Sequence, residues 1–338
     1  MPSFRTTTVT AMLSERDGLQ RVDTAAGRAF VLTGLTGPVA VGDDVVVNTT
    51  AVELGLGTGG WHVVHWNLAR KAWTQSSGGH IMKLRYTSLQ ADAGAAEEDI
   101  DDLPHELGGI PVVACTVHSQ VACVAAAAKE TRPAVRVVYV MTDGGALPLA
   151  LSDLVEALRE RDVLEGTITA GHAFGGDHEA VSVPSALLLA RHVMGADIVV
   201  VGMGPGVVGS GTALGTTAVE AAAVLDATAA LDGRPLMAVR ASSADARDRH
   251  RGVSHHTHTV LALCRPGVTI PVPSRADLAD ELAASPHTVE VVDVPEMDDV
   301  LGRRGLAVTT MGRGPADDPL FFAAAGAAGV AAAARAAR

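Results

Sequence analysis

Residues 197–212 read DIVVVGMGPGVVGSGT. An unbroken apolar run, Ile198–Val201, passes directly into a glycine-rich turn. A strand with one face in water alternates apolar and polar residues, whereas this run has no polar face. It suits a strand covered on both sides, the condition of a parallel sheet between two helical layers. The pattern recurs in IPVVACTV (110–117), VRVVYVMT (135–142), GTITAG (166–171), RPLMAVRAS (234–242), VTIPVPS (268–274) and TVEVVDVP (288–295). Helical patterns fill the intervals, among them Val121–Glu130, SDLVEALRER (152–161), VPSALLLARHV (183–193) and about Thr216–Leu231. Strands alternating with helices predict an α/β fold, a doubly wound, mostly parallel sheet with helices on both faces. The alanine-rich end, AAAGAAGVAAAARAAR, reads as an amphipathic terminal helix.

The chain before this series has a different texture. RAFVLTGLTG (28–37) and GDDVVVNTTAVEL (42–54) are short β-branched runs broken by Gly, Asn and Asp. They predict a small β-rich domain, a barrel or a sandwich, over residues 1–90. Residues 91–109, ADAGAAEEDIDDLPHELGG, carry a dense acidic run and read as a solvated linker or exposed insertion. The α/β domain is expected over 110–338.

Bulk composition narrows the function classes. The 338 residues carry a formal charge of −12, which opposes a nucleic-acid or anionic-membrane surface. Three cysteines without a CxxC pair (Cys115, Cys123, Cys264) argue against a disulfide scaffold. With no secretory h-region and no long apolar stretch, the expectation is a cytoplasmic protein without membrane association.

In open parallel sheets ligands bind beyond the carboxyl ends of the strands. Here the strand ends are unusually rich in chemistry. The first ends at His118, the second delivers Asp143 in TDGGALP, and the third runs into GHAFGGDHE with His172, Asp177, His178 and Glu179. The fourth opens into the glycine turn, and the fifth leads through Arg240 to RDRHRGVSHHTHT (247–259). The glycine turn contains GxGxxG at Gly204, Gly206 and Gly209. It lacks the acidic partner of a dinucleotide ribose, and Ser210 stands where a Walker lysine belongs. Neither NAD nor P-loop ATP is supported. What remains is an anion cradle from Gly204, Gly206, Gly209, Ser210, Gly211 and Thr212, or a structural turn. Arg247, Arg249 and Arg251 alternate, so an extended chain would put their bidentate forks on one face. Ser254 reads as the N-cap of a helix through His255–Leu263, on which His255 and His258 share a face. Candidate acids and bases are His172, His255 and His256, with Asp143 or Asp177 orienting an imidazole. A divalent metal would draw on His118, His172, Asp177, His178, His255 and His258. His80 and Lys83, in GGHIMKLRYT, are candidate ligand-binding residues from the β domain, with a plain strand face as the alternative.

Seven segments together resemble a bacterial family of proteins described only as a domain of unknown function, number 3866. They are NTTAVELGLGTGG (48–60), HIMKLRYTSLQ (80–90), YVMTDGGALPLALS (139–152), GTITAGHAFGGDHEAV (166–181), GMGPGVVGSGT (202–212), RHRGVSHHT (249–257) and TTMGRG (309–314). The resemblance spans nearly the whole chain and implies an intact family member, with no activity or cofactor attached. The residues themselves point to a small anionic, phosphorylated metabolite that is bound and then hydrolysed or used in group transfer. The alternatives are a metal-dependent hydrolase using a His/Asp cluster and a non-catalytic metabolite sensor or partner-binding module. A homo-oligomer is left open.

Overall fold

The structure, a computed structural model, describes residues 2–75, 79–265 and 267–336. It divides into two compact units, Met1–Gly94 and Ala95–Arg338.

The first unit is a closed five-stranded barrel. Its strands are β1 (Phe4–Arg16), β2 (Leu19–Thr24), β3 (Gly27–Leu32), β4 (Asp44–Asn48) and β5 (His62–Asn67), in the order β1-β2-β3-β5-β4 with β4 returning to β1. Single-turn helices α1 (Thr33–Thr36) and α2 (Thr50–Glu53) and a two-residue ladder, β6 (Met82–Lys83) with β7 (Ala91–Asp92), complete it. Alternation explains the closure: Val45 and Val47 of β4 point inward, where Val9, Val22, Val31 and Val64 meet them as an all-aliphatic core.

The second unit is built on eight parallel strands: β8 (Pro111–Ala114), β9 (Val137–Thr142), β10 (Gly166–Ala170), β11 (His178–Ala180), β12 (Ile198–Met203), β13 (Arg234–Met237), β16 (Thr269–Pro273) and β17 (Thr288–Val292). The order across the sheet is β11-β10-β9-β12-β8-β13-β16-β17. A separate two-stranded pair, β14 (Ala241–Ser242) with β15 (Gly252–Val253), follows β13. All six residues of β9 and of β12 are buried, as continuous apolar strands require when helices cover both faces. One face carries α3 (Ser119–Thr131), α4 (Asp153–Glu160), α9 (Met297–Arg303) and α10 (Pro319–Arg335); the other carries α5 (Val183–His192), α6 (Glu220–Ala230), α7 (His255–Leu263) and α8 (Leu278–Leu282). The chain winds from β8 outward to β11, then returns through β12 and passes to β13 on the far side of β8. The reversal of direction lies there.

Two expectations change. The acidic stretch is not a free linker: residues 95–109 belong to the second unit, with Leu107 fully buried and Ile100 and Leu103 packed against its core. Three apolar side chains spaced among the acids anchor the segment; Glu97 adds a bond from the Val181 N–H at 2.9 Å, while Glu98, Asp99, Asp101, Asp102 and Glu106 stay exposed. The last helix is not amphipathic either. Eleven of its seventeen residues are buried, and a Cβ on Gly329 would collide with the Val124 carbonyl, so glycine and alanine let α10 lie directly against α3. No helix among the described residues is long and apolar enough to cross a membrane.

Candidate functional site

Parallel register brings Ala114, Thr142, Met203 and Met237 to one edge of the sheet. Beyond it, the chains leaving β12 and β13 form a pocket of about 160 Å³. Its walls include Gly209, Gly211, Thr212 and Thr216 from the glycine turn, Arg240, Arg247, Arg249 and His250 after β13, and His255 and His256 at the start of α7.

Ser254 sets this geometry. Its hydroxyl accepts the His256 N–H at 3.3 Å, capping α7 as the sequence predicts, and lies 2.7 Å from His250 Nδ1. Arg240 is tied to the same turn, since its carbonyl accepts Ser254 N–H at 2.8 Å and its N–H donates to Thr257 Oγ1 at 3.0 Å. The buried Arg240 guanidinium then donates from Nη1 to His256 Nδ1 at 2.8 Å. Because an arginine only donates, His256 Nδ1 is the lone-pair nitrogen, and Nε2 carries the proton toward Thr216 Oγ1, 3.4 Å away. The three imidazoles pack together, with centroids 4.5 Å apart for His255–His256, 4.8 Å for His250–His255 and 5.1 Å for His250–His256.

Burial, and after it the charge of Arg240, pushes His250 and His256 down to about 3. His255 is lowered by burial and then by Arg249. All three are therefore neutral at physiological pH. Arg240 is itself lowered to about 10, by burial first and by Arg247 next, and stays charged. None of the residues lining the pocket is a carboxylate.

The arginines divide their work differently from the extended-strand expectation. Residues Asp248–His250 form a 3-10 turn. Arg247 closes a fork on Asp245, with Nε at 2.9 Å and Nη2 at 2.8 Å on separate oxygens, and holds that carboxyl well below its usual range. Arg251 turns away and donates to the Asp245 carbonyl at 3.0 Å, so it leaves the pocket wall. Arg249 is exposed at the rim and has no ion pair among the described residues.

Other candidates are corrected by position. His258 does not join His255: it points to Glu281 at 3.6 Å, and His250 from the preceding turn takes its place. Asp143 and Asp177 do not line the pocket. Asp143 accepts the His172 backbone N–H at 2.9 Å, while Asp177 holds Thr167 N–H at 2.8 Å and Arg159 at 2.7 Å. His172 lies in the turn after β10, and His178 opens β11 in register with Ile168, below the edge. His118 is fixed between the Met203 carbonyl, 3.1 Å, and Ser152 Oγ, 2.6 Å. Among the glycine-turn residues, Gly204, Gly206 and Ser210 lie outside the pocket wall. Ser210 and Thr212 do not offer free hydroxyls: they bond each other at 3.0 Å, and Thr212 Oγ1 accepts the Gly215 N–H. His80 and Lys83 are in the first unit.

Arg240 and His250, which the sequence places after the fifth strand without marking them as site residues, line the wall, as do Thr216 and Met311. The signal for Arg240 was its place at the end of a buried strand, where a cation has no structural reason to be. Among the described residues, one group of three has metal-ligand spacing, His250, His255 and His256, whose ligand atoms all lie within 4.8 Å of one another.

A protein-family model described as "Protein of unknown function (DUF3866)" matches residues 28–329, most of the chain, and the chain belongs to that family. No curated protein and no solved structure matches it.

Proposed function

We propose that this DUF3866 member binds a small anionic metabolite, a phosphate ester or carboxylate, at the ends of β12 and β13, and carries out hydrolysis or group transfer there. The observation that carries this reading is the charge of the pocket: Arg240, buried, and Arg249, at the rim, have no ion pair among the described residues, and the wall holds no carboxylate, whereas Arg247 is already forked on Asp245. A buried cation without a paired anion is costly, and an incoming oxyanion supplies the missing partner. His255, on the same wall and neutral, is the general base that takes a proton from water or an acceptor hydroxyl and returns it to the leaving oxygen. The compartment we assign is the cytoplasm, in keeping with three buried free thiols.

A second reading has its own observation, the three-histidine spacing. A divalent ion there would polarise a substrate oxygen. The field of the arginines weighs against it, since the charges that, after burial, lower the imidazoles repel a dication too. Metal analysis of the purified protein with a chelation control decides this: stoichiometric Zn, Mn or Ni would favour the metal enzyme.

The test of the main reading is calorimetric titration with sulfate and inorganic phosphate. Binding should tighten as pH falls from 8 to 6 for sulfate, because a bound dianion raises the imidazole pKa values and draws in protons. Arg249→Ala should weaken binding about fivefold, the value of one exposed charge-assisted contact, with the melting temperature unchanged. No binding of either anion at millimolar concentration overturns the proposal. Bound ester recovered unchanged after long incubation replaces the enzyme with a sensor.

A further inference from the structure

The anion pocket does not end at Arg240. A second cavity, about 570 Å³ against about 160 Å³, adjoins it, and the two share Val207, Arg240 and Met311 as common wall. Arg240 therefore faces both. Resting on the anion-pocket reading, we infer that the ligand is amphipathic: its anionic head sits among the arginines and histidines, and an aliphatic body passes Met311 into this larger chamber.

The walls give the chemical class. α4 contributes Leu154 and Ala157, the segment after α9 contributes Leu306 and Val308, and the turn between β8 and α3 contributes Val117. The chamber's polar side chains are few: Thr309 faces water, and Ser119 and Thr310 offer one hydroxyl each. His118 uses both ring nitrogens, Nδ1–H to the Met203 carbonyl and Nε2 accepting from Ser152, and burial lowers it to about 4, so it is uncharged. Asp153 and Arg161 are exposed. No Phe, Tyr or Trp lines the chamber, so a nucleobase would find no stacking platform. The apolar side chains Val117, Leu154, Ala157, Val207, Leu306 and Val308 outnumber the hydroxyls of Ser119, Thr309 and Thr310, which suits an aliphatic body better than a sugar ring.

Met311 occupies the junction by construction. It has a left-handed φ of 49°, unusual for a side chain of its size, and is 62% exposed. Its turn is closed by reciprocal Thr310–Arg313 backbone bonds of 2.9 Å, and Arg313 clamps it to Asp318 at 3.2 Å and Asp245 at 3.3 Å. Asp245 is also the residue that holds Arg247. One carboxylate thus positions a cation of the head pocket and the turn that borders the chamber. A flexible thioether at that point adapts to an apolar chain.

The experiment is a calorimetric series on the full chain with inorganic phosphate and methyl, butyl, hexyl and octyl phosphate. Affinity should rise about fourfold per methylene until the chamber is filled. Ala157→Phe should flatten that gradient while leaving inorganic phosphate binding unchanged. Ala307→Phe, on the exposed rim of the same chamber, makes the same prediction if the first variant folds poorly. Inorganic phosphate binding with no chain-length gradient, or tighter binding of ribose 5-phosphate than of hexyl phosphate, overturns the aliphatic body and leaves the anion pocket standing. Failure of every phosphate, inorganic included, removes the anion pocket itself.

Discussion

At the ends of β12 and β13 three imidazoles stand beside Arg240 and are held neutral; at the ends of β9 and β10, acids gather instead. There Glu220, at the start of α6, has its carboxyl raised to about 7 by burial, with the neighbouring Asp143 adding to the rise. Thr142 Oγ1 donates to Glu220, and Asp143 accepts the His172 backbone N–H. Farther along, Glu179 holds Thr169 Oγ1 and Gly175 N–H, both at 2.6 Å. The acids thus hold loop backbone and threonine hydroxyls, whereas Arg240 and Arg249 face a cavity with no ion pair among the described residues. The comparison teaches that a sheet edge rich in ionisable residues need not be one site. What separates a site from a scaffold is whether the charges are satisfied within the protein.

Arg240 gives the largest break. Replacing it with methionine keeps an unbranched, flexible stem and removes the charge, while Asp245 stays paired with Arg247 and Arg313. Sulfate affinity should fall by about 2–3 kcal/mol, some 30- to 150-fold, as expected for hydrogen bonds from a buried charged group. The histidines should also titrate closer to their ordinary range, visible by NMR. If Arg240→Met binds sulfate as the native protein does, the charge of Arg240 does not make the pocket, and the two regions of the edge do not differ in whether their charges are satisfied.

Glu220→Gln tests the other side. The folded-state carboxyl is raised to about 7 from 4.5. Below pH 4.5 both folded and unfolded chains hold the proton, so nothing is lost. Between 4.5 and 7 the unfolded chain ionises first, and stability drains away as pH rises. With a discount for partial exposure, Gln should stabilise the protein at pH 8 by about 1–2 kcal/mol and flatten this loss, measured by urea unfolding at pH 5 and pH 8. Sulfate binding should not change. A variant that loses sulfate binding would join the two regions into one site.

How much of this could be read from the chain alone follows from what kind of signal each feature leaves. The parallel sheet was legible because burial on both faces writes itself as unbroken apolar runs such as Ile198–Val201, and the small β domain because short β-branched runs such as Val45–Val47 are broken by Gly, Asn and Asp, although barrel and sandwich share that signature. Ser254 as the cap of α7 was legible for the same reason: a local rule with a local signature. The partners of the histidines were not. That Arg251 would turn to the Asp245 carbonyl while Arg249 stayed at the rim depends on a single 3-10 turn, which no periodicity records. Likewise, Ser210 and Thr212 look like ligand donors until the loop is seen to close on itself through Gly215.

The smallest expected effect bears on the one place where a correct local rule led to a wrong pair. His255 and His258 do lie on one side of α7, but the pocket opens off the helix's first turn, not its side. Side chains on a helix lean toward its N-terminus, so consecutive residues at the first turn, His255 and His256, both reach the cavity, and His250 arrives from the chain before it. His258 is one turn farther along and meets Glu281 as an exposed pair, 46% and 39% accessible. Such a pair contributes little, and Glu281 keeps its bonds to the Val253 N–H without it. His258→Ala should therefore shift stability by less than about 0.5 kcal/mol and leave sulfate affinity within twofold. A loss comparable to that of Arg249→Ala would mean that the binding surface runs along the side of α7, and His258 would have to be restored to the site in place of His250.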